Sequence, residues 1–113
     1  MNATQFTFNI LKASEYLFHL RADFPDTKDP VGAIVRNSTS RGEWLREDRH
    51  MNSFPFSPGI TFDMIVTAAP DHLKVEVNGS HFCNFTYRPN IKPGEVDTIT
   101  VVGDLTIQKF ELL

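Results

Sequence analysis

The residues best equipped for chemistry lie between His19 and Arg49. His19, Arg21 and Asp23 stand at alternate positions, followed by Val35-Arg36-Asn37 and then by Trp44-Leu45-Arg46-Glu47-Asp48-Arg49. Planar and charged groups of these types make directional hydrogen bonds to hydroxyls, which donate and accept at once. An indole adds an apolar face suited to the C–H side of a sugar ring, and Trp44 is the chain's one tryptophan. The set fits a site for a polyhydroxylated ligand. Its candidate members are His19, Arg21, Asp23, Asn37, Trp44, Glu47 and Arg49.

Each of these residues also has a plainer role open to it. Trp44 could be a core aromatic, although Glu43, Arg46, Glu47 and Asp48 around it favour partial exposure. His19 could be a solvated histidine, Asn37 a turn or edge residue, and Arg21 with Asp23 a surface ion pair of little energetic worth. Asp23 and Glu47 could be paired as glycosidase carboxylates, but no nucleophile or second-carboxylate pattern accompanies them, so the expectation is binding without catalysis. His50, His72 and His81 do not fall at metal-ligand spacing, and Cys83 is the sole cysteine, so neither a metal nor a cofactor is expected. There is no Gly-rich phosphate loop. A net charge of −3 offers no basic surface for nucleic acid.

The elements that must position these side chains read as strands. From Glu15 to Phe24 the even positions Tyr16, Phe18, Leu20, Ala22 and Phe24 form an apolar face, and the odd ones carry Glu15, His19, Arg21 and Asp23. Leu73, Val75 and Val77 alternate with Lys74 and Glu76 and run into the hairpin signal Asn78-Gly79, with a return strand over His81–Tyr87. Further strands are predicted over Phe6–Leu11, Ala33–Thr39, Trp44–Arg49, Ile60–Thr67, Thr98–Val102 and Leu105–Leu112. That is about nine short strands separated by Pro and Gly, the pattern of two packed antiparallel sheets or a barrel. Trp44 and Glu47 are three apart, so a turn or bulge near Gly42 must bring both to one face. The 113 residues, with 41% hydrophobic content, fit one domain over 1–113 with a real core. No apolar run reaches the ~18 residues that span a bilayer.

These motifs resemble those of the galectins. That family's hallmark is His-X-Asn-Pro-Arg on one strand, then Val-X-Asn, then Trp-X-X-Glu-X-Arg, and the last two stand intact at Val35–Asn37 and Trp44–Arg49. The likeness extends through Phe54-Pro55-Phe56-Ser57-Pro58-Gly59, Val75–Gly79, Phe85-Thr86-Tyr87-Arg88 and Gly103-Asp104-Leu105. It implies an antiparallel β-sandwich of jelly-roll, concanavalin-like form, a lectin function towards β-galactoside-type glycans or glycoconjugates, and no enzymatic activity. The first motif departs: His19 is kept, but Arg21, Ala22 and Asp23 replace Asn, Pro and Arg, so that of the His, Asn and Arg that in the family read the axial 4-hydroxyl of galactose, two are changed. The resemblance thus implies altered or weakened specificity, or a galectin-fold interaction module that has lost sugar binding. Asp23 facing Glu47 as a like charge further predicts one rebuilt network of Arg21, Asp23, Glu47 and Arg49.

Family members usually carry about two strands ahead of the segment matching Phe6–Leu11. Either the domain is shortened, or the missing edges are supplied by a partner chain; an edge left bare at Phe6–Leu11 would invite pairing and make a homodimer possible. The N-terminus does not read as a signal peptide, which fits a cytoplasmic protein with leaderless export left open. Without a leader, the Asn-X-Ser/Thr patterns at Asn2, Asn37, Asn78 and Asn84 are read as chance occurrences.

Overall fold

The computed structural model describes residues 4–57, 59–87, 96 and 98–103, and its regular elements are all strands. They are β1 (Gln5–Lys12), β2 (Glu15–Asp23), β3 (Ala33–Asn37), β4 (Thr39–Ser40), β5 (Glu43–Trp44), β6 (Met64–Ala68), β7 (His72–Val77), β8 (Ser80–Thr86) and β9 (Thr98–Gly103). One antiparallel sheet has the order β3-β2-β1-β9, a second has β6-β7-β8, and β4 and β5 form a short hairpin.

Period-two alternation supplies each sheet with one apolar face, and the two faces meet as a sandwich. Phe6, Phe8, Phe18, Leu20, Ala22 and Ile34 come from the first sheet, and Leu73, Val75, Val77 and Phe85 from the second. The Phe18 and Phe85 rings join the layers edge to face, with centroids 4.9 Å apart. Fully burying such a ring stabilises by roughly 1.5–3 kcal/mol. At one end Phe6, Phe24, Phe54, Phe56 and Phe62 interlock, which is where much of the aromatic load goes.

Several expectations change. β1 is flanked by β2 and β9, so it is an interior strand, and the bare edge expected over Phe6–Leu11 does not exist. The reason for pairing two copies through that edge falls with it. The strand expected over Ile60–Thr67 begins only at Met64, because Ile60 is tied into a turn by its N–H donating to the Ser57 carbonyl. The strand expected over Leu105–Leu112 lies outside the described residues. Asn78-Gly79 does turn β7 into β8, with both φ positive as a two-residue hairpin requires.

Candidate functional site

Two bulges build the site. In the first, Ile10 pairs with Phe18 while Leu11 pairs with Tyr16, so Leu17 is an extra residue in β2. An extra residue inverts the phase of everything before it. Tyr16, expected on the core face, therefore joins His19 on the outer face of the four-stranded sheet. The signal was present in the sequence: Tyr16-Leu17-Phe18 breaks the alternation with consecutive apolar residues.

The second bulge brings Trp44 and Glu47 to one face. Thr39 pairs with Trp44, the Leu45 N–H donates to the Ser38 carbonyl, and Asp48 forms an isolated bridge with Arg36. One residue too many lies between these contacts, so Arg46 and Glu47 both oppose Asn37. A turn does stand at Gly42, but the irregularity that changes the phase lies here, where Asn37 Nδ2 donates to the Leu45 carbonyl at 2.8 Å. Of the strand expected over Trp44–Arg49 only Trp44 lies in a regular strand, β5, because the bulge interrupts the ladder beyond it. Arg41 and Gly42, both at positive φ, make the tight turn between β4 and β5.

Register now places the candidates in rows across the outer face, since directly paired residues share a side. Thr100, Asn9, His19 and Asn37 are successive partners, with Glu47 beyond. Arg21 pairs with Val35, and one step on from the Arg36–Asp48 bridge Arg49 comes opposite Val35. Asp23 pairs with Gln5 and Ala33. Trp44 is 51% exposed, so it is not a core aromatic. Its ring lies 4.9 Å from those of both Tyr16 and His19, and Tyr16 meets His19 edge-on at 5.8 Å.

His19 Nδ1 lies 2.6 Å from Asn9 Oδ1, and Asn9 Nδ2 donates to Thr100 Oγ1 at 3.0 Å. An amide oxygen only accepts, so the Nδ1 of His19 carries the hydrogen and the neutral ring keeps a lone pair on Nε2. Burial, and then the Arg21 charge, push the pKa of His19 below its usual value, against a weaker upward pull from Glu47. Asn9, which holds the candidate His19, went unnoticed in the sequence, an outward-facing polar side chain on a strand read only for its phenylalanines.

The charged residues form two separate pairs instead of one network. Arg21 reaches Asp23 Oδ2 through Nε and Nη2, both at 3.1 Å, and Gln5 Nε2 donates to Asp23 Oδ1 at 2.8 Å. Arg49 Nε donates to Glu47 Oε2 at 2.8 Å. Each carboxylate takes a cation two residues along its own segment, which relieves the like-charge conflict locally. Asn37 is 4% exposed, its Nδ2 held by the Leu45 carbonyl and its Oδ1 accepting from the Ser38 N–H. Arg36, the middle residue of the second motif, points the other way and is 2% exposed. It donates to the carbonyls of Ile34 and His50, pairs with Asp48 at 3.4 Å and lies over the Phe82 ring. Among the described residues no group of three His, Cys, Asp or Glu could hold a metal, and no helix is long and apolar enough to cross a membrane.

With the geometry in place, comparison with known proteins is decisive. The sequence family described as "Galactoside-binding lectin" matches residues 1–112. The chain belongs to the galectin family. Galectins are lectins and not enzymes, which disposes of the glycosidase pairing of Asp23 and Glu47. The chain is 32% identical over 107 residues to Galectin-3 of Cricetulus longicaudatus, covering 94% of this chain and 42% of that protein. It is 37% identical over 81 residues to Galectin-4 of Sus scrofa, covering 72% of this chain and 25% of that protein. The aligned part of the chain thus spans about a quarter of the length of its Galectin-4 relatives. Among solved galectins, galectin-1-L2 of "Dario rerio" superposes with a TM-score of 0.81 at 25% identity, over 97% of this chain and 81% of that one. LEC-6 of Caenorhabditis elegans superposes with a TM-score of 0.76 at 28% identity, over 90% and 66%.

Proposed function

We propose that residues 1–113 act as one carbohydrate-recognition domain that binds glycans of the β-galactoside type on the outer face of the four-stranded sheet, with altered galactose reading. The observation that carries this is the half-exposed Trp44 indole beside His19, with Glu47 and Arg49 on the adjoining rows. Trp44 offers its face to the sugar C–H groups, His19 Nε2 accepts from a hydroxyl, and the Glu47–Arg49 pair accepts and donates alongside. Altered specificity follows from the Arg21–Asp23 pair, which closes on itself and on Gln5 and so presents a different set of donors.

A second reading, a galectin-fold interaction module without sugar binding, draws support from Asn37, whose amide is held at both ends by backbone. A glycan array followed by calorimetry separates the two. Binding by the native chain, abolished in a folded Trp44→Ala variant, is the expected result. A folded variant that keeps its affinity removes the indole from the site, and a blank array with the native chain favours the second reading. Two copies would raise avidity for clustered glycans without any new contact, and light scattering over a concentration series reports such pairing. Leaderless export is tested by following the full-length protein in cells and medium.

A further inference from the structure

We propose that Glu15 and Tyr16, the first two residues of β2, are positioning residues that hold the Trp44 indole in its ligand-facing pose; this rests on the sugar-binding function above. The indole sits on a strand of two residues near the tip of the β4–β5 hairpin, paired through Thr39–Trp44 and Ser40–Glu43 and continued by a single Leu45 N–H to Ser38 carbonyl bond before the bulge. A ladder that short is weak by itself, and an exposed indole has several rotamers open to it. The start of β2 supplies what the ladder lacks. Glu15 Oε1 accepts the Gly42 N–H at 2.6 Å, and Glu15 Oε2 accepts the Thr39 hydroxyl. Thr39 Oγ1 in turn accepts the Tyr16 N–H at 2.8 Å. One carboxylate thus grips both the turn of the hairpin and the residue opposite Trp44 by charge-assisted hydrogen bonds.

Tyr16 completes the clamp from the side. Its ring packs on the indole at 4.9 Å with the planes tilted by 41°, while His19 closes the triangle at 4.9 Å from the indole. The bulge at Leu17 is what turns Tyr16 to this face. With three rings this close there is no room between them for a ligand group, so the Tyr16 ring acts on the sugar through Trp44. Fixing a mobile aromatic only on binding costs affinity by a factor of roughly 2–10, and the clamp removes that cost in advance.

Because Trp44 is the chain's one tryptophan, its fluorescence reports the clamp directly. Time-resolved anisotropy and acrylamide quenching of the full chain without ligand should show a slower, less accessible indole in the native protein than in Tyr16→Ala or Glu15→Ala. Tyr16→Phe, which keeps the ring, should restore the native signal. Calorimetry with lactose should show Tyr16→Ala and Glu15→Ala weaker by roughly 3–10-fold and Tyr16→Phe close to native. Should Glu15→Ala unfold, Glu15→Gln, which keeps an acceptor for the Gly42 N–H, takes its place with a smaller loss. Unchanged anisotropy in folded variants overturns the clamp, as does native lactose affinity despite a loosened indole. If the native chain binds no sugar while the anisotropy follows Glu15 and Tyr16, the sugar-binding function fails, and with it the ligand-related purpose of the clamp.

Discussion

Acidification should release the glycan, and His19 sets where. Its Nδ1–H is committed to Asn9, whose own amide is committed to Thr100, so Nε2 is the nitrogen left for a ligand hydroxyl. Nε2 accepts only while the ring is neutral. Burial and Arg21 keep the pKa below the ordinary 6.5, so the ring is neutral at pH 7. Protonation puts a hydrogen on Nε2 and turns acceptor into donor, so a hydroxyl that donated there loses its partner. If binding requires the neutral ring, affinity falls about tenfold for each pH unit below the pKa, equivalent to about 1.4 kcal/mol per unit. Stability moves in the same direction. The unfolded histidine takes its proton near 6.5 and the folded one only at lower pH, so the stability it contributes is complete above 6.5 and is lost as pH falls towards the folded value. Calorimetric titrations from about pH 7.5 to about pH 5 stay above the range in which ordinary carboxylates titrate. NMR of the imidazole over the same range gives the pKa against which the break is judged. A His19→Gln variant should lose the break. Affinity that stays flat through the observed His19 titration, or that rises on protonation, refutes the assignment of Nε2 as an acceptor.

Restoring the family's strand residues with Arg21→Asn and Asp23→Arg should strengthen lactose binding by about tenfold or more, since one charge-assisted hydrogen bond is worth roughly 1.5–3 kcal/mol; calorimetry showing no gain would mean another feature limits binding. Arg36→Ala should lower unfolding stability by about 2–4 kcal/mol in urea titrations, because it leaves a cavity and two carbonyls without their donor, whereas Asp48 stays half in water. A loss below about 1 kcal/mol would show that the site collapses or admits water. Gly103→Ala should also destabilise, by about 1–3 kcal/mol, since at φ 127° a Cβ would stand 2.5 Å from the Gln5 carbonyl oxygen and 2.6 Å from Phe6 Cα. A melting temperature equal to that of the native chain would contradict that contact.

What the sequence determined by itself follows from local rules. Alternation in Glu15–Phe24 and Leu73–Val77 assigns strands and an inward face, because one side of a pleated strand must leave water. Asn78-Gly79 specifies its hairpin because its conformation needs positive φ at both positions. The motif residues His19, Trp44, Glu47 and Arg49 could be named because their types suit hydroxyl recognition before any fold is known. Register and strand partners, by contrast, follow from the folded chain alone. A single extra residue at Leu17 moved Tyr16 from the core face to the outer face, and another opposite Asn37 put Glu47 on the same face as Trp44. A bulge is defined by the strand across from it, so a lone strand shows its disturbance but not its outcome. The same holds for charge: Asp23 was expected to face Glu47 across the sheet, yet each acid found an arginine two residues along its own segment. Neighbour order decided β1 as well, since whether a strand is an edge depends on chain that returns from far along the sequence, here β9.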